Sequence, residues 1–284
     1  MHQKRVAAVH DISGVGKCSL TVALPIISVA GIECCPLPTA VLSNHTGGFG
    51  GFTFKDLTDE VMPIVNRWKA ERIKFDGIYS GYLGSERQVD ILIKAIDELK
   101  SDNTLIVVDP VMGDNGLLYK AFSPDFPVII KQLCAKADVI TPNITEACLM
   151  LGAEYKKPPF TKEYIENLIG GLKKICDKNI VLTGVSFENN TLGAAAYNSK
   201  SGETFYYFGE KINGMHHGTG DVFTSVLTSS LVLGNSIEKA TASAVDFTLI
   251  SIKNTADYPE LWYGVNFEGV LTKLPQIIGG SIYE

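Results

Sequence analysis

The segment Gly218-Thr219-Gly220-Asp221 runs directly into Val222-Phe223-Thr224-Ser225-Val226-Leu227, an apolar stretch of helical character. Glycines ahead of a helix let the backbone approach a ligand. The first-turn N–H groups lack intrahelical partners, so such a junction forms an anion hole. Asp221 stands beside that hole. A carboxylate is an odd neighbour for a phosphate unless it takes the proton of an attacking hydroxyl, which is the work of a general base in phosphoryl transfer. Taken alone, Asp221 also reads as a helix-start acid stabilised by the dipole, worth ~0.3 to 1 kcal/mol.

Two further constellations carry oxygen ligands. Asn143-Ile144-Thr145-Glu146 follows the apolar run Val139-Ile140-Thr141 and Pro142. Asn143 with Glu146 makes a capping box, and at a strand's carboxyl end the same pair can orient phosphate oxygens through magnesium-bound water. Asp109-Pro110-Val111-Met112-Gly113-Asp114 places two acids around a turn, where they hold a cation or, more commonly, cap the turn. By contrast, Gly14-Val15-Gly16-Lys17-Cys18-Ser19 fails as a P-loop, since Asp11 lies five residues before Gly16 and Cys18 replaces the magnesium-binding hydroxyl. As a turn after the first strand it still borders the edge where α/β sheets bind ligands. His10, His45, His216 and His217 have no metal spacing, and each reads as satisfied or solvated. In Asn44–Phe52, four glycines surround Phe49 and precede Phe52; the loop either closes over a flat ligand or lies exposed with its aromatics tucked beneath.

The elements that must position these residues alternate. Strands are expected at Val6–Val9, Ile32–Pro36, Gly77–Ser80, Leu105–Asp109, Val139–Thr141 and Ile180–Thr183, with a hairpin of Gly193–Tyr197 and Thr204–Phe208. Val89, Leu92, Ile93, Ile96 and Leu99 predict an amphipathic helix over Ser85–Lys100, and less regular helical patterns cover Val128–Leu133, Tyr164–Ile175 and Ile237–Ile252. This is the pattern of β-α units around a mostly parallel sheet, read as one domain over residues 1–284. With 25 basic against 31 acidic side chains, a net charge of −6 and no long basic run, nucleic acid and anionic membranes are excluded as partners. No apolar run approaches the ~18 residues of a membrane span, so a cytoplasmic location is expected. Six cysteines without zinc spacing read as small core residues, with Cys34 and Cys35 on opposite faces of a strand.

With these motifs the chain resembles the ribokinase superfamily, and within it the pyridoxal/pyridoxamine/pyridoxine kinases. Gly218–Asp221, Asn143–Glu146 and Asp109–Gly113 are similar to superfamily signatures, while Ser43-Asn44-His45-Thr46 and Ser80-Gly81-Tyr82-Leu83-Gly84-Ser85 resemble substrate-pocket segments of the vitamin B6 branch. The resemblance implies a three-layer α/β/α fold and ATP-dependent phosphorylation of a B6 vitamer's 5′-hydroxymethyl group. Catalysis would fall to Asp221, Gly218 and Gly220, with the substrate held by Asp11, Thr46, Tyr82 and Asp221. It further implies nucleotide contacts from Asn143, Thr183, Gly218, Thr219 and Gly220, magnesium at Asp109, Asp114 and Glu146, a monovalent cation, and a homodimer. The Lys253–Tyr263 segment would border the nucleotide. Two departures stand out: the loop over the ring has Phe49 and Phe52 in place of a tyrosine and a tryptophan, and Asp11 occupies the place of a serine, which favours a cationic partner. Asp11, Ser13 and Gly14 also resemble the hydroxymethylpyrimidine kinases, the alternative reading. A non-catalytic pyridoxal-phosphate carrier is a third, which Asp221 opposes.

Overall fold

The structure is a computed structural model, and it describes residues 2–214 and 216–279. In chain order the elements are β1 (Arg5–Val15), α1 (Leu20–Val29), β2 (Glu33–Asn44), β3 (Phe54–Asp56), α2 (Thr58–Ala70), β4 (Gly77–Ser80), α3 (Glu86–Leu99) and β5 (Leu105–Val108). A small hairpin β6 (Gly113–Asp114) and β7 (Leu117–Leu118) leads to α4 (Phe126–Cys134), β8 (Val139–Ile140), α5 (Ile144–Leu151) and α6 (Lys162–Leu172). The chain continues through β9 (Asn179–Val185), β10 (Thr191–Tyr197), β11 (Thr204–Glu210), α7 (Thr219–Val232), α8 (Ile237–Thr255), a 3-10 turn over Glu268–Lys273 and α9 (Leu274–Ile277).

The nine-stranded sheet has the order β11-β10-β9-β8-β5-β4-β1-β2-β3. Its centre, from β9 to β2, is parallel; β3, β10 and β11 pair antiparallel at the two ends. Strands covered on both faces favour apolar residues at successive positions, which explains Ile78-Tyr79 in β4 and the unbroken run Leu105–Val108 in β5. Successive residues serve opposite layers: Ala7, Ile78 and Ile106 pack with α2 to α6, whereas Val6, Tyr79 and Val107 pack with α1, α7 and α8. The result is a three-layer α/β/α fold. Its parallel strands end on one edge, which brings Asp11, Asp109 and Asn143 toward the N-terminus of α7.

The amphipathic helix predicted over Ser85–Lys100 is α3, begun by Ser85, whose Oγ accepts from the Gln88 N–H at 3.3 Å. The predicted hairpin is β10–β11, opposing Tyr197 to Thr204. The N-terminal strands exceed their expected lengths. Beyond the sheet body β1 and β2 continue as a paired ribbon to Val15 and Asn44, with β3 added along Ala40–Leu42. Pro36 and Pro38 interrupt the strand pattern of β2, so its extension carries no clear signal. α1 and α2 were equally hidden: each contains a proline, Pro25 or Pro63, and α1 is too uniformly apolar to show a helical period. Cys18, Cys134, Cys148 and Cys176 are buried and free, as expected; Cys34 and Cys35 are half-buried and pack on opposite layers. Among the described residues no helix is long and apolar enough to cross a membrane.

Candidate active site

Gly218 caps α7 with φ 80°, and the helix has no side-chain cap, so its first-turn N–H groups are left for a ligand. A Cβ at Gly218 would stand 1.9 Å from the Lys17 carbonyl oxygen. The Gly16–Ser19 turn and the Gly218–Asp221 turn therefore lie back to back, at a separation that only glycine permits. A Cβ at Gly220 would meet nothing within 4 Å, which leaves open space at the helix start. Thr219 points its hydroxyl back to the His216 carbonyl at 3.2 Å.

Asp221 lies in the first turn of α7. The helix dipole alone would hold its carboxyl below the usual range. Burial overcomes the dipole and pushes it up to about 7; the Ser19 main-chain N–H opposes this and the charge of Asp11 adds to it. An acid poised there is half ionised near neutrality, the state that suits a general base. Asp11 is 5% exposed, accepts from Ser13 Oγ at 3.2 Å, and is also raised by burial. Ser19 acts on both acids, its N–H opposing the rise of Asp221 and its hydroxyl opposing that of Asp11, from a strained backbone at φ 52°, ψ −130°. Nothing in its residue type marks Ser19 as functional, and sequence reasoning missed it.

Tyr82 and Cys18 both feel the charge of Asp11. Burial, then the nearby charge of Asp11, raises the Tyr82 hydroxyl, and its ring packs on Phe122 at 5.5 Å. Burial, then Asp221 and Asp11, raises the Cys18 thiol, so it stays protonated. Thr46 is exposed, one residue past His45, whose N–H donates to the Val15 carbonyl at 2.8 Å. In the glycine loop Phe49 is neither free nor tucked beneath: its ring packs on Trp262 at 4.7 Å and Tyr263 at 6.0 Å, while Phe52 is 49% exposed. The loop thus reaches the segment that the sequence associated with the nucleotide. Lys17, the lysine of the failed P-loop, pairs with Glu268 at 2.5 Å and lies over Phe267.

On the other side, Asn143 and Glu146 form the full capping box of α5, with Asn143 Oδ1 accepting from the Glu146 N–H at 2.9 Å and Glu146 Oε2 accepting from the Asn143 N–H at 2.8 Å. The box is stapled to the Asp109–Gly113 turn, because Glu146 Oε1 accepts from the Met112 N–H at 3.1 Å and Asn143 Nδ2 donates to the Gly113 carbonyl at 3.0 Å. Thr183 bridges to Asn143 at the end of β9. Asp109 accepts from Thr224 Oγ1 at 3.2 Å, and burial with the Asp221 charge pushes it up to about 8. Burial and Asp109 likewise raise Glu146. Asp114 sits at the exposed rim on the β6–β7 turn, its carboxylate accepting from the N–H and side chain of Asn115. Tyr119, absent from the sequence reading, faces Glu146, Asp114, Asp109 and Asp221, whose charges add to burial in raising its hydroxyl. It lies distant in sequence from three of those four acids, so no motif announces it.

Among the described residues no group of three or more His, Cys, Asp or Glu stands close enough to hold a metal by itself. Magnesium at nucleotide sites takes one or two carboxylates, with phosphates and water filling its octahedron, and Asp109 with Glu146 fits that requirement. The histidine reading is corrected: among the described residues His45 Nδ1 and His216 Nε2 are buried without a partner, and the departure is fullest at His10. His10 is neither satisfied nor solvated: it is fully buried, both ring nitrogens lack a partner, and its ring stands edge-on to Tyr79 at 4.4 Å. Burial lowers it to about 3, so it is neutral. Two surface grooves of about 560 and about 460 Å³ flank α6, and neither includes a residue of this site.

The family profile described as phosphomethylpyrimidine kinase matches residues 25–265. The chain belongs to this family. Among solved structures, a "putative phosphomethylpyrimidine kinase" of Bacteroides thetaiotaomicron, in a form with pyridoxal, is 41% identical with TM-score 0.90 over 96% of each chain. A pyridoxal kinase from Lactobacillus plantarum is 28% identical with TM-score 0.89, covering 97% of this chain and 98% of that one. A Saccharomyces cerevisiae protein called "Putative pyridoxal kinase" is 31% identical over 69% of this chain, a match that spans 64% of the yeast protein's length. The family's members thus carry names from two chemistries, pyridine and pyrimidine.

Proposed function

We propose that the chain is a single-domain kinase that transfers the γ-phosphoryl group of ATP to the 5′-hydroxymethyl of a vitamin B6 vitamer. The observation that carries this reading is Asp221, poised at about 7 beside the uncapped start of α7. Asp221 takes the hydroxyl proton as the oxygen forms its bond to the γ-phosphorus and the bond to the bridging oxygen of ADP breaks. The first-turn N–H groups stabilise charge on the transferring oxygens. A magnesium ion carried by ATP would be faced by Asp109 and Glu146, and would supply charge neutralisation of the triphosphate. Tyr82 and the Phe49 loop hold the ring. Relatives named pyridoxal kinase, and the pyridoxal form of the Bacteroides protein, support this substrate class. The family description and Asp11 favour hydroxymethylpyrimidine as a second reading.

The test is release of ADP by the purified protein with magnesium and ATP, run with pyridoxal, pyridoxine, pyridoxamine and hydroxymethylpyrimidine in turn. Vitamer-dependent ADP is expected. ADP release that no added vitamer raises above background would overturn the reading.

A further inference from the structure

Lys17, in the segment that fails as a phosphate loop, is held at three points. Its carbonyl oxygen backs onto Gly218, where a Cβ would stand 1.9 Å from it. Its own Cβ backs onto Gly264, where an added Cβ would stand 2.4 Å away. Its ammonium donates to both carboxylate oxygens of Glu268 at 2.5 Å and lies 5.3 Å from the centre of the buried Phe267 ring. Main chain joins the same segments, since the Val265 N–H donates to the His217 carbonyl at 3.2 Å. The stretch leading to Glu268 is in turn fixed to the end of α8: Asn254 Nδ2 donates to the Asn266 carbonyl at 2.8 Å, and the Asn266 N–H donates to Thr255 Oγ1 at 2.7 Å.

The start of α7 needs such support. It is Gly218, in the left-handed region at φ 80° and with no side-chain cap among the described residues. Glycine has weak backbone preferences of its own, so what packs behind it sets the direction of the first-turn N–H groups. What packs behind it is the Lys17 carbonyl. Thr21 Oγ1 shares its proton between the neighbouring Gly16 and Cys18 carbonyls, at 3.1 and 2.7 Å, and the Lys17 carbonyl between them is turned to Gly218. The Lys17 side chain is 12% exposed against 49% for Glu268, so the ammonium is sunk beside its partner and costs free energy if left unpaired there. The inference rests on the kinase reading above and deepens it. We propose that Lys17 and Glu268 are positioning residues, whose ion pair braces the Gly16–Ser19 turn against Gly218 and so aims the N–H groups of α7 at the transferring phosphoryl group.

The test is Glu268→Gln, which keeps the shape of a half-exposed side chain and removes its charge. The kcat for vitamer-dependent ADP release is expected to fall about 10- to 100-fold, the scale of catalytic donors displaced by about 1 Å, with KM for ATP and affinity for ADP unchanged. Binding of aluminium fluoride, a mimic of the transferring phosphoryl group, with ADP and magnesium should weaken by the same factor. Lys17→Met should behave alike, the Lys17→Met/Glu268→Gln double variant no worse than either single one, and Lys17→Arg, which keeps stem and charge, near wild type. A Glu268→Gln kcat at or above the wild-type value overturns the proposal, because a freed Lys17 would then serve the phosphates directly. Losses that multiply in the double variant overturn it too. So do parallel losses of ADP affinity and aluminium fluoride binding, the mark of general damage to the fold. If wild type releases no ADP with any vitamer, the kinase reading falls; weakened aluminium fluoride binding in Glu268→Gln then still sustains the brace, and unchanged binding removes it.

Discussion

Replacing Asp221 by asparagine is expected to cost activity and raise stability, with a pH dependence that identifies the cause. The ordinary carboxyl value of 3.8 is raised to about 7 in the fold. An acid raised on folding is ionised more readily in the unfolded chain, so its contribution is most favourable at low pH and is lost as pH rises through 7. By linkage the penalty reaches about 4 kcal/mol at pH 8 and only about 2 kcal/mol at pH 5. These are upper bounds, because Asp221 is only half-buried and solvent screens part of its charge. Asparagine removes the penalty, so Asp221→Asn should melt higher than wild type at pH 8, by several degrees at roughly 2 °C per kcal/mol, and by about half as much at pH 5. Loss of the base should lower kcat by ~10²- to 10⁴-fold with nucleotide binding retained. In wild type, kcat/KM should fall about tenfold per pH unit below about 7 as the base protonates. Paired thermal melts at the two pH values and a pH–rate profile measure all three. A melting difference of equal size at pH 5 and pH 8, or wild-type turnover by Asp221→Asn, would refute the argument.

Gly218→Ala should disable the anion hole and destabilise the chain: the φ of 80° alone costs an alanine about 1 to 3 kcal/mol, and its Cβ meets main-chain oxygen of Lys17. An unchanged urea midpoint with normal turnover would contradict the back-to-back packing of the two turns. Asn143→Ala removes the side-chain cap of α5 and its bond to Gly113, and should cost about 1 kcal/mol in urea unfolding at pH 7. A shift of less than the error of the measurement would mean that water satisfies the freed N–H equally well.

Local features of this protein were legible because their causes are local. The period of Val89 to Leu99 places α3, Ser85 starts it, Asn143 and Glu146 close a capping box within four residues, and the glycines before Asp221 mark the start of α7. The alternation of apolar runs and helical segments was enough for the layered fold, since a parallel strand covered on both faces tolerates no polar alternation. Only the tertiary structure decided what these pieces do together. The basicity of Asp221 depends on burial and on Asp11, which arrives from the opposite end of the chain. Ser19 acquires its role from a backbone conformation that residue type does not predict, and Tyr119 from four acids on three separate segments. Phe49 meets Trp262 because the β1–β2 ribbon carries its loop out to the C-terminal segment. Dipole, cap and period act over one helical turn and are written in adjacent residues, whereas desolvation and charge coupling act through space and exist only once the chain has folded.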